Sequence, residues 1–207
     1  MRIIHAAVAS EVFGVSIDSV NKEMRRKAKV INFGILYGMG VNALRANLGG
    51  TREEAQKFYN EYFKSFSGLA TYLDRVKAEA ARKGYTETLF GRRRYFEGIK
   101  SKIPYIKASA ERMAINAPIQ GTQSDIIKKA MIAIWNFFKD KRIEDKAYLL
   151  LQVHDELVFE IENNEVESLT PEIKRIMETI IPLGMTKDIP LSVAASVGDN
   201  WGDMKSL

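Results

Sequence analysis

The chain has 207 residues, 46% of them hydrophobic, with no cysteine, two histidines and a formal net charge of +5. That size supports one sizeable core or two small ones, burying about 70% of the unfolded surface, while the lack of cysteine excludes disulfides and thiolate metal centres and two sequence-distant histidines argue against a zinc cluster. Residues 155–207 carry 4 basic and 11 acidic side chains, so residues 1–154 hold +12, an asymmetry that suits a phosphate-facing front and a solvated rear.

The apolar stretch 4–13 reads as a helix too short to cross a membrane, and His5 and Glu11 spoil it as a signal peptide, so a cytoplasmic location is expected. Helices are expected next at 19–37, 41–48, 51–66 and 68–83, with Thr51-x-x-Glu54 as a capping box and Gly84 as a stop. Strands follow near 85–96. Two helices are expected at 102–116 and 121–139, because Pro118 should bend or end the helical run near Asn116. Strands at 147–153 and 156–162, a helix at 165–180 and a last strand at 190–197 complete an α+β layout, mainly helical with a small antiparallel sheet. No repeat or low-complexity tract interrupts it.

Two segments carry chemistry. In Arg25 to Gly38, the residues Arg25, Lys29, Phe33 and Tyr37 recur every fourth position. Each step advances about 40° around a helix, so the four share a sector of about 120° that runs from cationic to aromatic. Such a face can hold a triphosphate through an Arg fork and a Lys point charge while a flat ring meets a base; it also fits an amphipathic helix with a solvated basic end. Between Leu150 and Glu160, two β-prone apolar runs meet at His154-Asp155-Glu156. A hairpin tip with two carboxylates suits a hard divalent cation held partly by substrate phosphates, and equally an exposed polar turn.

The wording of these segments resembles the family A DNA polymerases, of the bacterial DNA polymerase I type. Lys29-x-x-Asn32-Phe33-Gly34-x-x-Tyr37-Gly38 is similar to their motif B and Val153-His154-Asp155-Glu156 to their motif C. Gly91-Arg92-Arg93-Arg94-Tyr95, Glu111-Arg112-x-x-x-Asn116-x-Pro118-x-Gln120-Gly121-Thr122 and Gly198-x-Asn200-Trp201 extend the resemblance from about Ile4 to the end. It implies template-directed addition of deoxynucleotides to a primer 3′ end, with Mg²⁺ as cofactor and primer-template DNA and deoxynucleoside triphosphates as partners. By the same resemblance His5, Arg25, Lys29, Phe33 and Tyr37 bind the nucleotide, with Lys29 also protonating the pyrophosphate leaving group. Arg112, Asn116 and Gln120 would feel the minor groove of the new duplex, where adenine and thymine present similar acceptors whichever way the pair lies. His154 would touch the primer end, and Asp155 would be a catalytic metal ligand with Glu156 as the weaker second. Gly34 and Gly38 would leave room for nucleotide and template.

One expected string is missing. The family's motif A, an apolar strand ending in Asp-Tyr-Ser-x-x-Glu, does not occur, and Ile3 stands where an Asp usually precedes Ile-His. The other aspartates, Asp18, Asp74, Asp125, Asp140, Asp145, Asp188, Asp199 and Asp203, fall in helical, turn or strand-flanking contexts. The expectation is therefore a C-terminal portion of a polymerase domain, with fingers over about 4–110 and part of the palm over 111–207, whose two-ion site is completed by a second polypeptide carrying motif A and the thumb. The alternative is a catalytically inactive remnant that binds DNA or nucleotide.

Overall fold

The structure, a computed structural model, describes residues 4–186 and 189–207; Ile3 and Asp188 lie outside the described residues. The chain divides into two compact units, Met1–Glu87 with Arg93–Pro118, and Thr88–Arg92 with Ile119–Leu207. Among the described residues no helix is long and apolar enough to cross a membrane.

In the first unit, α1 (Ile4–Phe13), α2 (Lys22–Leu36), α3 (Val41–Leu48) and α4 (Arg52–Ser65) enclose one core of Val8, Ala9, Ala28, Ile31, Ile35, Leu44 and Tyr62. Burial of each large apolar side chain contributes about 1.5–3 kcal/mol. α2 starts later than its apolar pattern suggests, because Asn21 caps it by accepting a hydrogen bond from the Met24 amide at 2.9 Å and a 3₁₀ turn takes Ile17–Ser19. Thr51 and Glu54 form the expected reciprocal capping box on α4. α5 (Ser67–Lys83) stops at Gly84, whose φ of 82° is left-handed. Strands β1 (Tyr85–Glu87) and β2 (Arg93–Tyr95) pair antiparallel with Tyr85 opposite Tyr95, and Ala80, Phe96 and Ile99 pack with Ala110, Ala114 and Ala117 in a second core.

The expected break at Pro118 does not occur: α6 is one helix from Pro104 to Lys141. An interior proline costs about 3 kcal/mol. Here burial on both sides of it offsets that cost, through Ala110, Ala114 and Ala117 before it and Ile127, Ala130, Ile134 and Phe138 after it.

In the second unit β3 (Ala147–Val153) pairs antiparallel with β4 (Glu156–Ile161), with a bulge between Leu149 and Leu151. Leu157, Phe159 and Ile161 pack against Ile134 and Phe138 of α6 and against Leu169 and Ile173 of α7 (Val166–Glu178). A short α8 (Leu183–Thr186) follows. The strand expected at 190–197 is confined to β5 (Ser196–Val197), which pairs with β6 (Lys205–Ser206). A strand needs a partner for its amides, and among the described residues the C-terminal segment pairs with Ser196 and Val197 and donates once more, from the Leu207 amide to the Ala195 carbonyl at 3.0 Å.

Candidate nucleotide and nucleic-acid interface

The face of α2 holds together as an array. Phe33, 37% exposed, stacks against Tyr37 with centroids 5.9 Å apart, and Lys29 Nζ lies 5.9 Å from the Phe33 centroid in cation–π range. Arg25 and Lys29 are both exposed and make no ion pair among the described residues, whereas Lys27 is bound to Glu23 at 3.1 Å. The opposite stripe, Ala28, Ile31, Asn32 and Ile35, is buried, and this fixes which face α2 turns outward.

His5 joins this array from α1. Its ring centroid is 5.5 Å from that of Phe33, and its Nδ1 is 3.4 Å from Asn32 Nδ2. Burial first, and then the charges of Lys29 and Arg25, hold its pKa below the ordinary histidine value. A neutral imidazole beside two permanent cations can still donate a hydrogen bond to an anion.

Arg112, Asn116 and Gln120 sit at four-residue spacing on the single helix α6. Arg112 and Gln120 are exposed, while Asn116 is partly buried and its Oδ1 has no hydrogen-bond partner among the described residues. Gly38, with a φ of 81°, is tightly approached: a Cβ there would lie 2.8 Å from Arg112 Cγ. At Gly34 a Cβ would meet Met39 Cε at 2.2 Å. The space expected for nucleotide and template beside these glycines is thus filled by the chain's own Arg112 and Met39, both long and flexible. On β1 and β2, Arg93 lies 4.7 Å from the Tyr85 centroid and Tyr95 is exposed, which places cations and aromatic rings on one small hairpin.

The tip of the β3–β4 hairpin is the two-residue loop His154-Asp155, closed by the Val153–Glu156 pair. His154 has a φ of 52°, a left-handed conformation that costs about 1–3 kcal/mol in a residue other than glycine. Gln152 Nε2 donates to the His154 carbonyl at 2.7 Å and steadies the turn. The Asp155 and Glu156 carboxylates are exposed and carry neither an ion pair nor a side-chain hydrogen bond among the described residues. Both are free to ligate. Among the described residues, however, no three His, Cys, Asp or Glu side chains gather where they could hold a metal ion.

Two side-chain clusters escaped the sequence pattern. Arg92 Nε donates to Asp125 Oδ1 at 2.7 Å and its Nη2 to the Gly121 carbonyl at 3.0 Å, so the Thr88–Arg92 turn is pinned to α6 beside Gln120. Burial pushes the Asp125 pKa up, but the Thr88 hydroxyl and Arg92 outweigh it and hold the carboxyl below its ordinary value. The second cluster is Tyr62, Asn32 and His5, linked by hydrogen bonds across α4, α2 and α1. A polar Asn within the apolar stripe of α2 was the signal that could have found it.

Comparison with known proteins matches residues 2–203 to the family model described as DNA polymerase family A. The chain is 44% identical to DNA polymerase I of Pseudomonas aeruginosa over 97% of its own length and 21% of that relative's. It is 46% identical to DNA polymerase I of Bacillus subtilis, over 98% of the chain and 22% of the relative. It therefore spans about a fifth of these curated relatives. A solved POL domain of Pol1 from M. smegmatis, in complex with DNA primer-template and dNTP, is similar with a TM-score of 0.84 and 40% identity, over 92% of this chain and 32% of that one.

Proposed function

The chain belongs to DNA polymerase family A, and from that membership we propose that it supplies the fingers, over about 4–110, and part of the palm, over 111–207, of a DNA-directed DNA polymerase. The single observation that carries this reading is the array of exposed Lys29 and Phe33 with half-buried His5 and Tyr37 on one face, with Arg25 at its basic end and the opposite stripe buried. Cation, hydrogen-bond donor and flat rings occur in the order in which a nucleotide offers phosphate, sugar and base.

In this reading Arg25, Lys29 and His5 bind the triphosphate, Phe33 packs against sugar and base, and Tyr37 borders the templating position. Nucleophilic attack by the primer 3′ hydroxyl on the α-phosphorus forms the new P–O bond as the bond to pyrophosphate breaks, and the hydroxyl proton passes to solvent water. Lys29 then gives its proton to the departing pyrophosphate oxygen. Arg112, Asn116 and Gln120 check pair shape in the minor groove. His154 positions the primer end.

Mg²⁺, when bound, would neutralise phosphate charge and activate the attacking hydroxyl. Asp155 fits as one of its carboxylate ligands, being exposed and uncommitted, with Glu156 as a weaker neighbour. The remaining ligands would come from a motif A-bearing polypeptide that also brings the thumb. A second reading, a DNA or nucleotide binding module without catalysis, is favoured by the lack of a three-ligand cluster among the described residues.

Primer extension with Mg²⁺ separates the two. The expected result is no extension by the chain alone, extension when a polypeptide carrying motif A and the thumb is added, and loss of that extension with Asp155→Ala. Extension by the chain alone would mean that another carboxylate completes the site. A mixture that never extends, while each part binds DNA, would favour the binding module.

A further inference from the structure

We propose that Asn32 and Tyr62 are positioning residues for His5, which hold its imidazole with Nδ1 occupied as an acceptor and the Nε2–H turned out as a donor for an anion. The inference rests on the reading of the α2 face as a triphosphate site and adds a set of residues to it.

The argument starts from burial. Tyr62 is 2% exposed and Asn32 9% exposed, inside the apolar core of the first unit. Polar groups in such a place must be satisfied by each other. The Tyr62 hydroxyl donates to Asn32 Oδ1, and among the described residues it has no other hydrogen-bond partner. Burial, with Glu11 adding to it, pushes the phenol up to about 12, so the hydroxyl keeps its proton.

That proton decides the direction of the whole chain. With Oδ1 engaged as an acceptor, the amide faces His5 with its NH₂ group, and Nδ2 lies 3.4 Å from His5 Nδ1. The reverse arrangement, with the amide flipped and Nδ1 protonated, would leave the buried tyrosine O–H with no acceptor. His5 is kept neutral by its partial burial and by Lys29 and Arg25 on the adjacent face of α2. A neutral ring with Nδ1 accepting carries its one proton on Nε2. The groups facing the relay are therefore Lys29 and Arg25 from α2, Glu11 from α1, and Tyr62 from α4.

The relay makes a distinction that packing alone would not. An anion at the α2 face needs a donor, and Nε2 is a donor only in this tautomer. Asn32→Asp would replace the NH₂ donor by a carboxylate, which draws a proton onto Nδ1. Tyr62→Phe keeps the ring and its packing but frees the amide to flip.

Proton-coupled ¹⁵N spectra of the 207-residue chain test this directly, because it has only two histidines, and His154→Gln leaves His5 as the sole imidazole for assignment. The expected wild-type result is unprotonated Nδ1 and protonated Nε2. Asn32→Asp should invert this, and Tyr62→Phe should give a mixture of tautomers. Inorganic tripolyphosphate should shift the wild-type Nε2 signal and bind on the order of tenfold more weakly to Asn32→Asp. Protonated Nδ1 in the wild type, or a tautomer unchanged in both variants, would overturn the relay. The stated tautomers without any response to tripolyphosphate would support the relay and instead overturn the triphosphate reading of this face.

Discussion

Arg92 Nε lies 2.7 Å from Asp125 Oδ1 although 33 residues separate them in sequence. The Asp125 side chain is 11% exposed and that of Arg92 52%, so the carboxylate depends on the guanidinium far more than the reverse. Arg92→Ala should destabilise the chain by about 1–3 kcal/mol, the cost of leaving a largely buried carboxylate without its donor. Arg93→Ala breaks the exposed pair with Glu87 and the cation–π contact with the Tyr85 ring, and should cost about 1 kcal/mol. Urea unfolding of the two variants checks this, and equal losses would contradict it.

The same carboxyl gives a pH signature. Its folded pKa is lowered, so its contribution to stability is present above the unfolded carboxylate value and is lost as pH falls through the lower folded value. Asp125→Asn should flatten the acid side of the stability profile in thermal melts, with no change in slope at neutral pH.

Lys29 and Lys27 offer an internal control on the triphosphate face. They lie about 160° apart around α2, and Lys27 already pairs with Glu23. Lys29→Ala should weaken deoxynucleoside triphosphate binding on the order of tenfold, the worth of a charged hydrogen bond, with Lys27→Ala close to neutral. Calorimetric titration reads the difference, and equal losses would return the helix to a merely solvated basic face.

His5 should titrate below the ordinary histidine value in an NMR pH series. Burial is the larger cause and Lys29 the next, so Lys29→Ala should raise the pKa only part of the way. Because the folded state favours the neutral ring, the unfolded chain takes up the proton first and stability should fall as pH drops below the unfolded value. A His5 pKa at or above the ordinary histidine value would be the contrary result.

Duplex DNA should bind weakly and without sequence preference, with a dissociation constant on the order of 10⁻⁴ to 10⁻⁶ M that rises steeply with salt. The motivation is the clusters Lys22–Lys29 and Arg92–Lys102, each with a net charge of +4. Fluorescence anisotropy across a salt series would refute this if the affinity proved insensitive to salt.

Local signals made much of the fold legible. The Thr51–Glu54 box, the stop at Gly84 and the polar junction at 154–155 are each decided by a few neighbouring residues, and each lies where the sequence puts it. The α2 face was legible for a similar reason, since helical periodicity alone aligns Arg25, Lys29, Phe33 and Tyr37. Long-range packing was not legible. It carries α6 through Pro118 against local preference, and it holds Val193 by a hydrogen bond from its amide to the Glu178 carboxylate instead of in the strand expected at 190–197. Tyr62 and Asn32 are 30 residues apart and Arg92 and Asp125 are 33, separations that no local pattern reports.

The left-handed backbone at His154 also bears on any attempt to harden this protein. Glycine adopts that conformation without penalty, so screening variants for heat tolerance alone should repeatedly select His154→Gly and tighten the hairpin. Each such gain would remove the imidazole proposed to meet the primer, and the most robust variants would be the ones least suited to hold a strand end beside Asp155.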